Sequence, residues 1–228
     1  MQIAADENLI LHQRDVKSVY LQAPIDEDVY VTQPADYTVE EKVWKLNKSL
    51  YGLKQSGRNW HTMLHKYLLE LNFNPSSADA CLYIKRDNGE TMILLIWVND
   101  IIIAGSSNLA IDSIKQKLSS KFEIKDLGSL STFLGIQFTQ HEGCITMSQS
   151  IYLENVLKTF DMYDSKPRST PCEQNLSSYS EANVQIDDNR RYRQMVGSLI
   201  YAMTCARPDL AFVVTKLSQH LSCPDSSD

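Results

Sequence analysis

Two aspartates beside short apolar segments are the residues of this sequence best suited to chemistry. Asp15 precedes Val-Lys-Ser-Val-Tyr-Leu, and Asp100 lies between the apolar runs 92–98 and 101–104. A carboxylate in a largely apolar setting is costly unless a cation satisfies it. Mg²⁺ prefers a few carboxylates together with substrate phosphates, and two-metal phosphoryl transfer needs a small carboxylate cluster. The pair therefore indicates a metal site, and a turn-forming Asn-Asp without any metal is the alternative.

Hydrophobic patterning predicts the elements that would position these aspartates. The two apolar runs with a two-residue polar break at Asn99-Asp100 predict a tight β-hairpin buried on both faces. We expect 1–12 to be a frayed helix or extended lead-in and 16–21 to be a strand that follows Asp15. Further strands are predicted over 29–32, 43–46, 81–85, 133–139 and 145–148. Helices are predicted from 57 or 58 to 71, from 107 or 108 to 122, over 151–160 and 190–205, and from 207 or 208 to 221, with a connector over 167–188.

This order of elements predicts an α+β fold, with helices packed on one face of an antiparallel sheet. The net charge of −6 counts against strong autonomous binding of nucleic acid. However, Lys42 to Lys66 contains six Lys or Arg and no Asp or Glu. That stretch is a candidate phosphate-facing surface, or else simply a solvated helix face.

Cysteine usage and hydropathy indicate the compartment. The five cysteines are odd in number, and no two lie within four residues of each other, which favours buried reduced thiols over a zinc site or disulfides. No apolar run approaches the roughly 18 to 20 residues of a membrane span, and the N-terminus does not resemble a signal peptide. We therefore expect an intracellular, cytoplasmic protein without a membrane partner.

A series of motifs, in register along nearly the whole chain, resembles the reverse transcriptases of copia-type retrotransposons. Asp15 to Leu21 resembles their first catalytic-aspartate motif, and Ile96 to Asp100 resembles their aromatic-x-Asp-Asp box. Leu50 to Trp60 resembles the tyrosine-glycine-leucine-lysine-glutamine signature of these elements. The later motifs are Lys125 to Gly128, Phe133 to Ile136, Ser169 to Pro171, Val196 to Tyr201 and Thr204 to Leu210.

The resemblance implies a polymerase palm over 1–143 and a mostly helical thumb with the start of a connector over 144–228. It implies an RNA-directed DNA polymerase that acts on an RNA template and a DNA primer with Mg²⁺ or Mn²⁺. Asp15 and Asp100 would be the metal ligands and catalytic carboxylates. The turn at Phe133, Leu134 and Gly135 would grip the 3′ end of the primer.

The resemblance also assigns residues to the incoming nucleotide. Tyr20 would pack under the deoxyribose, with an ordinary strand aromatic as the alternative. Gln55 would lie near the nucleotide and template. Lys54 or Arg58 would meet phosphate, or would contribute surface charge only. Lys125 could protonate the departing pyrophosphate.

Two departures from the family pattern argue against activity. Asn99 stands where the box has its first aspartate, so that position is degenerate and its neutral carbonyl is a weak ligand for a hard dication. Only 14 residues precede Asp15, so we expect most of the fingers to be missing, and no ribonuclease H region begins before Asp228. The alternatives are a non-catalytic remnant that binds nucleic acid or an intact element's Pol protein, and a decayed pseudogene product.

Overall fold

A computed structural model describes residues 1–39, 42–87, 89–141, 143–172, 189–222 and 224. The chain divides into two compact units. The first contains Met1–Ser131 and Gln140–Ile145, and the second contains Thr132–Thr139 and Thr146–Asp228. The first unit combines an antiparallel sheet with helices and the second is largely helical, so the predicted α+β fold is confirmed.

A six-stranded antiparallel sheet forms the first unit, in the order β4-β5-β6-β7-β1-β8. The predicted hairpin is its centre, because the Ile- and Leu-rich β6 and β7 are joined by the two-residue turn Val98-Asn99. The six strands are β1 Ile10–Val16, β4 Asn74–Pro75, β5 Leu82–Asp87, β6 Glu90–Trp97, β7 Asp100–Gly105 and β8 Ile124–Ser129. A separate two-stranded sheet pairs β2 Tyr30–Val31 with β3 Trp44–Lys45.

Two amphipathic helices, α3 Ser56–Glu70 and α4 Asn108–Lys121, pack on one face of this sheet. Their apolar residues recur at helical spacing and enter one core with Tyr83 and the inward side chains of β6 and β7. The Ser107 side chain caps α4 by accepting a hydrogen bond from the Ala110 N–H at 3.2 Å. A short helix α1, Gln2–Asp6, lines a narrow apolar cavity of about 110 Å³ with residues of the opposite sheet face, including Leu11 and Ile102.

The predicted strand over 16–21 is wrong. The frayed helix or extended lead-in predicted over 1–12 holds for α1, Gln2–Asp6, and is wrong from Ile10, where β1 begins. The strand β1 precedes and includes Asp15, and the chain then turns at Ser18 (φ 45°) into a short helix α2, Val19–Gln22. Prediction failed because β1 reads Ile-Leu-His-Gln-Arg-Asp-Val, and polar residues in a central strand need distant partners that the local sequence does not reveal. The strands β4 and β8 were also missed.

A three-stranded sheet has the order β11-β10-β9 and is formed by β9 Thr132–Phe133, β10 Ile136–His141 and β11 Cys144–Ser148. The predicted single strand over 133–139 is wrong, because Leu134 and Gly135 have positive φ and form a turn. The helices of the second unit are α5 Ser150–Thr159, α6 Asn189–Cys205 and α7 Ala211–Ser218, and a 3-10 turn at Pro208–Leu210 leads into α7.

Parts of several predicted features lie outside the described residues. These are Asn88 and Glu142, of the turns that the sequence predicts at 87–89 and 141–143, residues 173–188 of the connector, and Cys223. The other four cysteines are free thiols, but the predicted burial is wrong for them, because Cys144 is exposed and Cys81, Cys172 and Cys205 are half-buried. Within the described part of the chain, no helix is long and apolar enough to cross a membrane.

Candidate active site

The register of four strands places Lys125, Asp15, Asp100 and Trp97 side by side in one row. Asp15 pairs with Lys125 of β8 on one side and with Asp100 of β7 on the other, and Asp100 pairs with Trp97 of β6. Directly opposed residues in antiparallel strands project to the same face, with Cβ atoms about 4.5–5.5 Å apart. The row therefore brings together the two aspartates singled out in the sequence, with a lysine at one end and an exposed tryptophan at the other.

Asn99 lies in the turn beside this row and bonds directly to one of its carboxylates. The Asn99 amide nitrogen Nδ2 donates a hydrogen bond of 2.6 Å to Asp15 Oδ1. The backbone fixes the same contact, because the Val16 N–H donates to the Asn99 carbonyl at 2.7 Å. Hydrogen bonds to an ionised acceptor are among the stronger ones in proteins. The amide thus satisfies the carboxylate without a cation.

The turn that carries Asn99 is strained, and a buried tryptophan holds it. Val98 is β-branched yet has φ 56°, a region that such residues rarely occupy. The indole Nε1 of Trp60 in α3 donates a 2.9 Å hydrogen bond to the Val98 carbonyl, and its ring packs edge-on against Phe122. Sequence reasoning placed Trp60 at the end of the 50–60 motif and gave its indole no partner. The available signal was that a buried indole N–H usually finds an acceptor.

Burial raises the pKa of Asp100, and the negative charge of Asp15 raises it further. A hydrogen bond with the buried Gln13 side chain opposes this effect and does not cancel it. Two neighbouring carboxylates are expected to retain a proton more readily when no cation lies between them. The electrostatics of the row thus resist a negative charge on Asp100.

The residues present do not fit a two-metal centre. Such a centre needs carboxylates that bridge both ions, whereas this site offers two carboxylates and an amide whose nitrogen faces one of them. Among the residues that the structure describes, no group of three or more His, Cys, Asp or Glu could hold a metal ion. No catalytic step through a metal follows from this arrangement.

A polar cluster on the other face of the sheet joins the strand that carries Asp15 to the neighbouring strand β8. Arg14 is almost fully buried, with its Nη2 2.6 Å from Ser119 Oγ and its Nη1 3.6 Å from Asp126. Lys115 lies 3.0 Å from Asp126 and 2.7 Å from His12 Nδ1. Burial alone would raise the pKa of Asp126, but hydrogen bonds from Gly128 and Lys115 and the nearby cations lower it. The cluster joins β1, β8 and α4, and sequence reasoning missed it.

The residues assigned to the nucleotide are partly brought together. Tyr20 lies in α2 rather than in a strand, and its ring centroid is 4.8 Å from that of Tyr51. A Cβ at Gly57 would lie 4.0 Å from Tyr20 Oη, so Tyr20 packs against the 50–60 motif. The half-buried Gln55 directly precedes α3.

The basic stretch from Lys42 to Lys66 is partly neutralised by neighbouring carboxylates. Arg58 is 3.8 Å from Asp26, so its ion pair is with that residue and not with either aspartate of the row. Lys45 is 2.5 Å from Asp28. Lys54 is exposed and lies two residues before the start of α3. Two of the six cations are therefore held in surface ion pairs, which contribute little to stability.

The turn proposed to grip the primer belongs to the second unit. Phe133 is buried there, Leu134 is exposed, and Gly135 completes a two-residue turn between β9 and β10. The phenol of Tyr201 in α6 donates a hydrogen bond to the Leu134 carbonyl. Sequence reasoning placed Tyr201 in a family motif without giving it a role.

Comparison with known proteins identifies the family. Residues 1–174 match the model of the reverse transcriptase (RNA-dependent DNA polymerase) family. The chain is 36% identical to the retrovirus-related Pol polyprotein from transposon TNT 1-94 of Nicotiana tabacum, over 98% of the chain and 18% of the relative. It is 34% identical to that from transposon RE1 of Arabidopsis thaliana, over 97% of the chain and 15% of the relative.

A shorter relative is the transposon Ty5-1 protein of Saccharomyces cerevisiae, which is 28% identical over 92% of the chain and 70% of its own length. The chain spans less than a fifth of the length of the two plant polyproteins. The family predicted from the motifs is confirmed. On these matches, the chain belongs to the reverse transcriptase family, among the copia-type retrotransposon Pol proteins.

Proposed function

We propose that this chain is a reverse transcriptase domain that binds an RNA template paired with a DNA primer but does not itself perform two-metal nucleotidyl transfer. The observation that carries the proposal is the hydrogen bond from Asn99 Nδ2 to Asp15 Oδ1. At this position a carboxylate would share metal ions with Asp15, and here a neutral donor meets Asp15 instead.

The expected loss of rate is large. Removing one preorganised electrostatic group from a transition-state site typically costs about 100- to 1,000-fold in rate. A residue that bridges two metal ions contributes to holding both ions, so its loss should fall at or above the upper end of that range.

Binding of the nucleic acid does not require the missing carboxylate. The basic stretch from Lys42 to Lys66 keeps four of its six cations outside the ion pairs with Asp26 and Asp28 that the structure shows. Contacts of this kind to phosphates weaken steeply as salt rises, because binding releases counterions. Family membership supports a template and primer as the ligand.

One experiment tests both halves of the proposal. Primer extension on an RNA-template, DNA-primer duplex is measured with Mg²⁺ and with Mn²⁺ for the native chain, for Asn99→Asp, and for Asn99→Asp combined with Asp15→Asn. Fluorescence anisotropy gives the Kd of the same duplex for each protein at about 50 and 200 mM salt.

The proposal expects duplex binding by all three proteins, with affinity that falls as salt rises, and extension only by Asn99→Asp. Extension by the native chain would show that Asn99 does not disable the site. Absence of duplex binding by the native chain at low salt would refute the binding function.

A further inference from the structure

The turn between β9 and β10 is held in a backbone conformation that its sequence does not favour on its own. Leu134 has φ 48° and Gly135 has φ 76°, and Phe133 pairs with Ile136 across the turn. Glycine adopts positive φ without strain, but leucine, with its Cβ, rarely does. A conformation of this kind persists only where surrounding contacts enforce it.

One hydroxyl group of α6 supplies such a contact. Tyr201 Oη donates a hydrogen bond to the carbonyl oxygen of Leu134, and a Cβ at Gly135 would lie 3.0 Å from the same Oη. Burial raises the pKa of Tyr201, so the phenol is a protonated donor at neutral pH. The hydroxyl thus touches both residues of the turn.

The Tyr201 ring is itself fixed by its neighbours. It packs edge-on against Tyr152 of α5, with centroids 4.7 Å apart and an interplanar angle of 83°. The Tyr152 hydroxyl donates a 2.9 Å hydrogen bond to the Ser198 carbonyl, which lies one helical turn before Tyr201. The packing of the two rings, which does not depend on the Tyr152 hydroxyl, therefore fixes the position of the Tyr201 hydroxyl that holds the turn.

We propose that Tyr201 is a positioning residue for the 3′ end of a bound primer, acting through the shape of the Leu134-Gly135 turn. The inference rests on the proposed function, in which this chain binds a primer-template duplex. Phe133 is buried and anchors one strand, whereas Leu134 is 42% exposed at the tip. The turn therefore presents the Leu134 side chain to a ligand, and Tyr201 sets its direction.

The test compares two duplexes and four proteins. One duplex has a recessed primer 3′ end labelled with 2-aminopurine, and the other has the same length and no recessed end. The proteins are the native chain, Tyr201→Phe, Tyr152→Phe and Gly135→Ala. Tyr201→Phe removes only the hydroxyl, and Tyr152→Phe is the matched control because it removes a hydrogen bond of the same kind that does not reach the turn.

We expect Tyr201→Phe to weaken binding of the recessed duplex about five-fold, the effect of one hydrogen bond, and to leave binding of the other duplex unchanged. Tyr152→Phe should preserve the native ratio of the two affinities, whereas Gly135→Ala should reduce it. Combining Gly135→Ala with Tyr201→Phe should cost less than the two changes separately, because the added methyl then meets no oxygen.

The outcomes separate this inference from the proposed function. If the native chain binds neither duplex, the proposed function fails and the inference fails with it. If the native chain prefers the recessed end and Tyr201→Phe keeps that preference, the role of Tyr201 alone is refuted. Equal weakening of both duplexes by Tyr201→Phe would show a merely structural role and would also overturn the inference.

Discussion

Replacing Asn99 with aspartate should make the stability of this protein depend on divalent metal. In the native chain the Asn99 amide donates to Asp15 at 2.6 Å, and Asp100 lies opposite Asp15 on the next strand. Asn99→Asp removes the donor and places a third carboxylate against the other two. No backbone change is required, because the two side chains have nearly the same shape.

The size of the effect follows from these contacts. A hydrogen bond to a charged partner contributes about 1.5–3 kcal/mol. Two carboxylates about 4 Å apart repel by about 4 kcal/mol at an effective dielectric constant of 20. Protonation of one carboxyl limits that repulsion, at about 1.4 kcal/mol for each unit between its pKa and the ambient pH. We therefore expect Asn99→Asp to lower the free energy of unfolding by about 3–5 kcal/mol at pH 7 without divalent cations, and by less near pH 5.

Urea unfolding followed by tryptophan fluorescence measures this change, in EDTA and in about 10 mM Mg²⁺ or Mn²⁺. If the metal ion binds Asn99→Asp with a Kd near 1 mM, about 10 mM of it should raise the free energy of unfolding of that variant by about 1.4 kcal/mol. The same concentration should leave the free energy of unfolding of the native chain unchanged. Asn155→Asp, on the exposed face of α5, makes the same change of charge away from the row and serves as the control. Equal stability of Asn99→Asp and native protein in EDTA would refute the repulsion argument, and equal stabilisation of both by metal would refute the role given to Asn99.

Three other predictions concern the support of the site. Trp60→Phe keeps most of the ring and loses the hydrogen-bond donor to Val98, so we expect the free energy of unfolding to fall by about 1–3 kcal/mol and amide exchange at residues 97–100 to become faster. Trp44→Phe, at an exposed position, is the control. Unchanged amide exchange in Trp60→Phe would contradict this prediction. Burial and the charge of Lys115 lower the pKa of His12, so the unfolded chain takes up the proton first and stability should fall as pH drops below about 6.5. His12→Asn keeps an acceptor for Lys115 without titrating, and a urea midpoint that falls equally for both proteins between pH 7.5 and 5.5 would argue against the assignment. A Cβ at Gly105 would lie 2.5 Å from Met92 Sδ and 2.7 Å from Ile111 Cγ1. Gly105→Ala should therefore lower the urea midpoint of unfolding by an amount equivalent to about 1–3 kcal/mol. Gly197→Ala in α6 is the control, because a Cβ there meets open space and should leave the midpoint unchanged.

Elements with a strong local pattern were the predictable part of this molecule. The apolar runs around Asn99-Asp100 predicted the central hairpin, and apolar residues at helical spacing predicted α3 and α4. The strand β1 was misplaced because its polar residues are satisfied by partners about a hundred positions away, such as Ser119 for Arg14. Patterns within a window of a dozen residues cannot carry that information.

The candidate site was predictable in its residue types and not in its geometry. Asp15, Asp100 and the substitution at Asn99 can all be identified in the sequence, but the donor that Asn99 presents to Asp15 requires the fold. The contacts from Trp60 to Val98 and from Tyr201 to Leu134 join residues 38 and 67 positions apart. Both contacts end on a backbone carbonyl, which every residue has, so neither leaves a signature at the accepting position.

The place of β1 within the sheet has a consequence for synthesis on the ribosome. This strand is synthesised before both of its partners, because it pairs with β7 on one side and with β8 on the other, and β8 is complete only at Ser129. At about 5–20 residues per second, both of its hydrogen-bonding edges stay unpaired for on the order of ten seconds. During that interval Arg14 and His12 keep the nascent strand hydrated, which is the use of charge that protects exposed strand edges from aggregation. The polar sequence that hid β1 from prediction thus suits a strand that must wait for its partners.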